Sequence, residues 1–122
     1  MRITLRKDVK FSDGSAFTAD DAVLSLNRAM TKTSTYGVYV QGIDKVVKVS
    51  DNEIDIMLKA PNPVLMNQLT ELRMMSKAWS EKNKATEPKD IKTKDESFSH
   101  RNAMGTGPYV VESWQPDQKL VF

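Results

Sequence analysis

The side chains able to carry a reaction are few and scattered. His100 is the only histidine, and cysteine is absent. Disulfides, Cys-ligated zinc, iron–sulfur clusters and thiol catalysis are thereby excluded together. Hydrolysis or group transfer needs a nucleophile, a base and a charge stabiliser within mutual reach. His100 stands in a polar stretch beside Arg101 and Asn102, a setting that fits a surface residue better than a lone base. Asp95, Glu96 and His100 are three potential ligands without the spacing of a metal site. Asp20-Asp21 offers adjacent carboxylates, but helical neighbours point about 100° apart, poor geometry for shared acid–base work.

Gly105-Thr106-Gly107-Pro108 has the outline of a phosphate loop. It lacks the following Lys-Ser/Thr and leads into a strand, so it reads as a tight turn. Met74-Met75 either lines an adaptable apolar groove or fills the core. Tyr36 and Tyr39, flanking Gly37-Val38, either line a cleft or pack against a sheet. No catalytic constellation emerges; the chain is expected to be no enzyme, with neither cofactor nor metal.

The elements that must position these residues follow from periodicity. Ile3–Arg6 reads as a first strand, and Asp13-Gly14 as a turn, because glycine accepts positive φ. Thr18 then caps a helix running from about 18 to 31, with Asp20 and Asp21 at the positive end of its dipole. Asp21 takes the third helical position, as a short form of the capping-box acid. Ala19, Ala22, Val23, Leu26, Ala29 and Met30 form one apolar stripe. Leu24 lies off it and is either an ordinary exposed leucine or one that faces a missing part of the protein.

Residues 31–37 read as loop, and Ile43–Leu58 as a hairpin turning at Asp51-Asn52. That turn pairs Ser50 with Glu53 and predicts Val49 opposite Ile54, Val47 opposite Ile56 and Lys45 opposite Leu58. On the other face it sets Lys48 against Asp55 and Val46 against Met57. Pro61-Asn62-Pro63 ends the second strand, and a short helix follows through Leu69. Leu72–Met75 is a short strand candidate and Ser76–Lys82 a helical turn or two. Residues 83–104 read as a long covering loop anchored by Ile91 and Phe98. Tyr109–Trp114 and Gln118–Phe122 form two strands around a turn at Gln115-Pro116-Asp117. The expected class is α+β: mainly antiparallel sheet, one main amphipathic helix and one or two short ones.

With 122 residues the chain is expected to form a single domain, 1–122, with one modest core. Eighteen Lys plus Arg oppose 16 Asp plus Glu, leaving a net charge of +2. Within 77–101 the basic surplus is also small, so no nucleic-acid footprint is expected. A strand-like run begins directly after Met1, and no signal peptide is read in this chain. The last strand stops at Phe122 without a terminator, and both ends look truncated.

Three stretches, in order, resemble bacterial extracellular solute-binding proteins of family 5, the peptide- and nickel-type receptors of ABC importers. The first is Leu5–Arg28, with Phe11-Ser12-Asp13-Gly14 and Thr18-Ala19-Asp20-Asp21 at its centre. The second is the hairpin from Val46 through Pro63, and the third is Gly105-Thr106-Gly107-Pro108-Tyr109 through Trp114. Ser12 stands where the family often has His, and Asp20 where Glu is usual.

The resemblance implies a type II periplasmic binding protein fold, of which this chain corresponds to the small accessory lobe inserted near the N-terminus. It implies structural roles for the matching residues. Asp13 and Gly14 would form the turn before the helix, and Thr18 its cap. Gly105, Thr106, Gly107 and Pro108, with Tyr109, would return the chain to its host lobe. It assigns no ligand-contacting residue. It implies a periplasmic or lipid-anchored parent that hands a peptide-like solute to an ABC permease. The isolated lobe would bind no solute and would self-associate through Leu24, Trp114 and open strand edges. A free-standing protein–protein interaction module is the alternative.

Overall fold

One helix organises the structure, a computed structural model that describes residues 1–93 and 96–122. Helix α1, Ala19–Ala29, carries the expected stripe and ends two residues short of the predicted limit. Ala19, Ala22, Leu26 and Ala29 are buried, with Val23 and Met30 packed beside them. Three of the four buried positions are alanines. That small profile lets the helix lie close on the sheet beneath it.

The sheet has the order β1-β3-β2, all antiparallel, from β1 (Arg2–Thr4), β2 (Ile43–Ser50) and β3 (Glu53–Leu58). Ile43 and Val46 of β2 and Ile54 and Ile56 of β3 meet α1, and Val40, Leu65 and Leu72 complete the core. Two backbone bonds fasten the hairpin turn to the rest: Ala19 N–H to Asp51 O and Leu5 N–H to Asn52 O, each 2.8 Å.

The turn is where the sequence places it, but the register beyond it is not. Ser50 faces Glu53, after which Lys48 faces Ile54, Val47 faces Asp55 and Val46 faces Ile56. Val49 is bulged out of the ladder and exposed, and a second irregularity falls between Ile43 and Lys45. The bulges bring Ile43 and Val46 onto the face shared by Ile54 and Ile56. They also free Lys48 to pair with Asp20 at 2.6 Å and Asp51 at 2.9 Å, leaving Asp55 to Arg2.

Short elements close the remaining sides. They are α2 (Gly37–Val40), α3 (Leu65–Leu69), α4 (Lys77–Lys82), a 3-10 turn at Ile91–Thr93 and α5 (Phe98–Arg101). Residues 72–75 form no strand, and α5 interrupts the expected long loop. Phe98, a predicted anchor, packs on Trp79 with ring centroids 5.7 Å apart but stays 47% exposed and outside the core. The Ile91 side chain lies outside the described residues. The final hairpin, β4 (Ser113–Gln115) with β5 (Lys119–Val121), is shorter than predicted and forms its own two-stranded sheet. Asp117 supplies the positive φ, +61°, that its turn requires.

Candidate functional site

Two of the motif stretches meet in space. In the Asp13-Gly14 turn, Gly14 takes φ +85°, and Asp13 Oδ1 accepts from Ser15 N–H at 2.9 Å and its hydroxyl at 2.6 Å. These donors hold the Asp13 carboxyl below its ordinary range. From this turn Ser12 N–H donates to Gly105 O at 2.9 Å, and its hydroxyl donates to Met104 Sδ at 3.1 Å. Residues more than ninety positions apart are thereby fixed together, a pairing that no local pattern in the sequence announces.

Thr18 lies on a second junction. It caps α1 in a capping box with Asp21, whose Oδ2 accepts the Thr18 N–H at 2.7 Å and its hydroxyl at 3.1 Å. The other oxygen, Oδ1, accepts the Lys77 N–H at the start of α4, again at 2.7 Å. One turn on, the buried Ser25 hydroxyl donates to Asp21 O and accepts the Met75 N–H at 2.8 Å. Asp21 and Ser25 thus latch residues 75–77 to α1. The sequence reading assigned Asp21 to the helix start alone. Its second role becomes visible only when α4 is docked.

The latched segment forms one wall of an open groove of about 530 Å³. Met74, Met75 and Trp79 line it together with Met104 and Gly105–Gly107. Met74 also packs on the core, so both readings of the methionine pair hold in part. Arg28 and Arg73 bring the charge. Arg28 is half-buried, which lowers its pKa, and its Nε donates to Ala85 O at 3.1 Å. A guanidinium stays protonated even so. The groove can hold apolar surface next to an anionic group, and among the described residues its lining has no histidine or carboxylate.

The remaining predicted residues separate. Pro108 and Tyr109 lead away from the groove; Tyr109 is 75% exposed and meets Phe122 at 5.9 Å between ring centroids. Thr106 lines the groove, as do both of its glycine neighbours. Tyr39 packs on the core, whereas Tyr36 is exposed. Leu24 is half-buried rather than exposed.

Asp20 pairs with Lys48, not with Asp21, and that hydrogen bond holds its carboxyl below the ordinary value. His100 is exposed; its Nδ1 takes the Ser97 N–H at 3.2 Å and lies 3.3 Å from the Ser97 hydroxyl. This contact caps α5. Ser97 is buried, and its own N–H already occupies the same ring nitrogen. Among the described residues no three His, Asp or Glu side chains are grouped to hold a metal. Asp95 lies outside them.

Comparison with known proteins fits this geometry. The family described as "Bacterial extracellular solute-binding proteins, family 5 Middle" matches residues 1–122. The glutathione-binding protein GsiB of Salmonella choleraesuis (strain SC-B67) is 33% identical over 117 residues, 92% of this chain and 20% of that protein. The periplasmic oligopeptide-binding protein OppA of Escherichia coli (strain K12) is 28% identical over 140 residues, 96% of this chain and 24% of that protein. Among solved structures, NikZ from Campylobacter jejuni in complex with Ni(L-His) superposes with a TM-score of 0.79 at 27% identity. The match covers 94% of this chain and 22% of that one. The fold is also that of the oligopeptide-binding protein AppA from Bacillus subtilis, TM-score 0.78 at 23% identity. The chain thus spans less than a quarter of the length of these proteins. Its motifs, its fold and a match over its whole length agree: the chain belongs to the bacterial extracellular solute-binding proteins of family 5.

Proposed function

We propose that this chain is the small accessory lobe of the substrate-binding component of an ABC importer for oligopeptides or related solutes. The observation that carries the reading is a family match over all 122 residues of a chain that covers only 20–24% of its curated relatives GsiB and OppA. The open groove is consistent with it, since a single wall does not enclose a solute. In the parent, closure follows the solute's greater affinity for the closed form, and the closed form is presented to the permease. The parent resides outside the cytoplasm, in the periplasm or on a lipid anchor. Asp13, Gly14 and Thr18 set the entry to the lobe, and Gly105–Tyr109 carry the chain back to its host.

The apolar side chains of the terminal segment belong at the boundary with the other lobes. Tyr109, Val110, Trp114, Leu120 and Phe122 are all exposed, and a lone two-stranded hairpin is marginal in water. In isolation this surface drives self-association. Sedimentation of the 122-residue chain tests that point: a dimer or larger species is expected, and a clean monomer at high concentration contradicts it. The function itself is tested on the natural gene. A longer reading frame beside permease and ATPase genes is expected, whereas an independent gene ending after Phe122 overturns the proposal.

A further inference from the structure

A second, smaller cleft, of about 180 Å³, opens between the loop after α1 and the segment around Pro88. Its lining includes Arg28, Lys89 and His100 and, among the described residues, no carboxylate. The loop adds the hydroxyls of Ser34, Thr35 and Tyr36.

Three of the donors are held in place. Arg28 Nε is fixed by the Ala85 carbonyl at 3.1 Å, and neither terminal guanidinium nitrogen meets a protein acceptor among the described residues. Ser34 Oγ accepts the Tyr36 N–H at 3.2 Å, which leaves its proton free to be donated. His100 Nδ1 accepts the Ser97 N–H, so the neutral ring carries its proton on Nε2 and is a donor there. Thr33 Oγ1 donates to Pro88 O at 2.9 Å and ties the two sides of the cleft together. Of the acids nearby, Glu87 lies on the adjoining surface with Pro88 and Lys89, and Glu96 and Asp90 are engaged elsewhere. Glu96, which feels the His100 ring, is held by two Arg101 bonds at 2.9 and 2.7 Å, and Asp90 Oδ1 accepts the Lys92 N–H.

We propose that this cleft binds a tetrahedral oxyanion, inorganic phosphate or the phosphate of a monoester. A guanidinium anchored through its Nε, an ammonium and the hydroxyl donors of the same cleft match the acceptor oxygens of such an anion. The cleft is well above the ~30 Å³ that one water takes up in the liquid, leaving room for the ion and its flanking waters.

The test is an NMR titration of the 122-residue chain with inorganic phosphate, against chloride at matched ionic strength. Saturable shifts at the Thr35 and Tyr36 amides and at Arg28 Nε are expected, complete by about 10 mM. Lys89→Ala should weaken the affinity about threefold to fivefold, the worth of one exposed charge pair. Arg28→Lys should weaken it about tenfold by removing the fork. Tyr36→Phe serves as the variant that leaves the backbone contacts intact and should also weaken binding. Glycerol phosphate separates the sources: the same shifts assign a phosphate monoester as a ligand, and their absence beside a phosphate response assigns the free ion. Non-saturating shifts equal to those in chloride, or Lys89→Ala and Tyr36→Phe both binding as wild type, would overturn the proposal.

Discussion

Replacing Asp21 with alanine tests the latch that shapes the groove. The carboxylate is 6% exposed and accepts three hydrogen bonds, two of them from the backbone N–H groups of Thr18 and Lys77. Alanine leaves both N–H groups without an acceptor and removes the acid half of the capping box, while Thr18 remains as N-cap. A donor left unmade away from water costs about 1–3 kcal/mol, and a weakened cap up to about 1 kcal/mol. Since the two effects share the Thr18 bond, the expected loss is about 2–4 kcal/mol. That is a large share of the ~5–15 kcal/mol available to a domain, and it lowers Tm by on the order of 10 °C. Urea denaturation gives the total, and amide hydrogen exchange locates it. Lys77 should lose protection first, while Ile54 and Ile56 follow only global unfolding. Asp21→Asn keeps one acceptor oxygen and should fall between. A loss below about 0.5 kcal/mol with Lys77 still protected would refute the reasoning.

Three further outcomes follow from the same structure. Val46→Ala should cost about 1–3 kcal/mol by opening a cavity against Ile56, whereas Val49→Ala, at an exposed bulge, should stay within about 0.5 kcal/mol; equal losses in denaturation would restore the unbulged register. Gly14→Ala should destabilise by about 1 kcal/mol because φ is +85°, although nothing lies within 4 Å of the added carbon; an unchanged Tm would argue against that turn. Hydrogen bonds from Lys48, Arg2 and Arg101 hold Asp20, Asp55 and Glu96 below their ordinary values of 3.8, 3.8 and 4.5. Depressed carboxyls stabilise the folded state above their unfolded pKa and lose that contribution as pH falls through the folded one. Tm should therefore drop on acidification below about pH 4, modestly because the pairs are exposed, and a rise there would contradict the pairing.

What the sequence revealed, and what it hid, divides along physical lines. The α1 stripe, the capping box and the Asp51-Asn52 turn are local devices, each determined by a few neighbouring residues. The α4 helix is announced by Ser76, whose hydroxyl accepts the Trp79 N–H as a cap. The register of β2 was hidden because the unbulged alignment matches apolar with apolar and Lys48 with Asp55, whereas the observed one sets Lys48 opposite Ile54 and Val47 opposite Asp55. Docking of α1 and the ion pairs of Lys48 select the bulged one. The latch of Asp21, the bond from Ser12 to Gly105 and the cleft beside Lys89 join residues distant in sequence. Such contacts depend on tertiary packing, so spacing along the chain carries no sign of them. The motif Gly105–Pro108 forms a bend, and its place in the groove wall was not legible.

The central claim is that this polypeptide supplies one lobe and cannot hold a solute alone. Isothermal titration of the 122-residue chain with a mixture of short peptides tests it most directly. Heats no larger than dilution are predicted across the accessible concentration range. Tight, saturable binding with one peptide per chain would contradict the account.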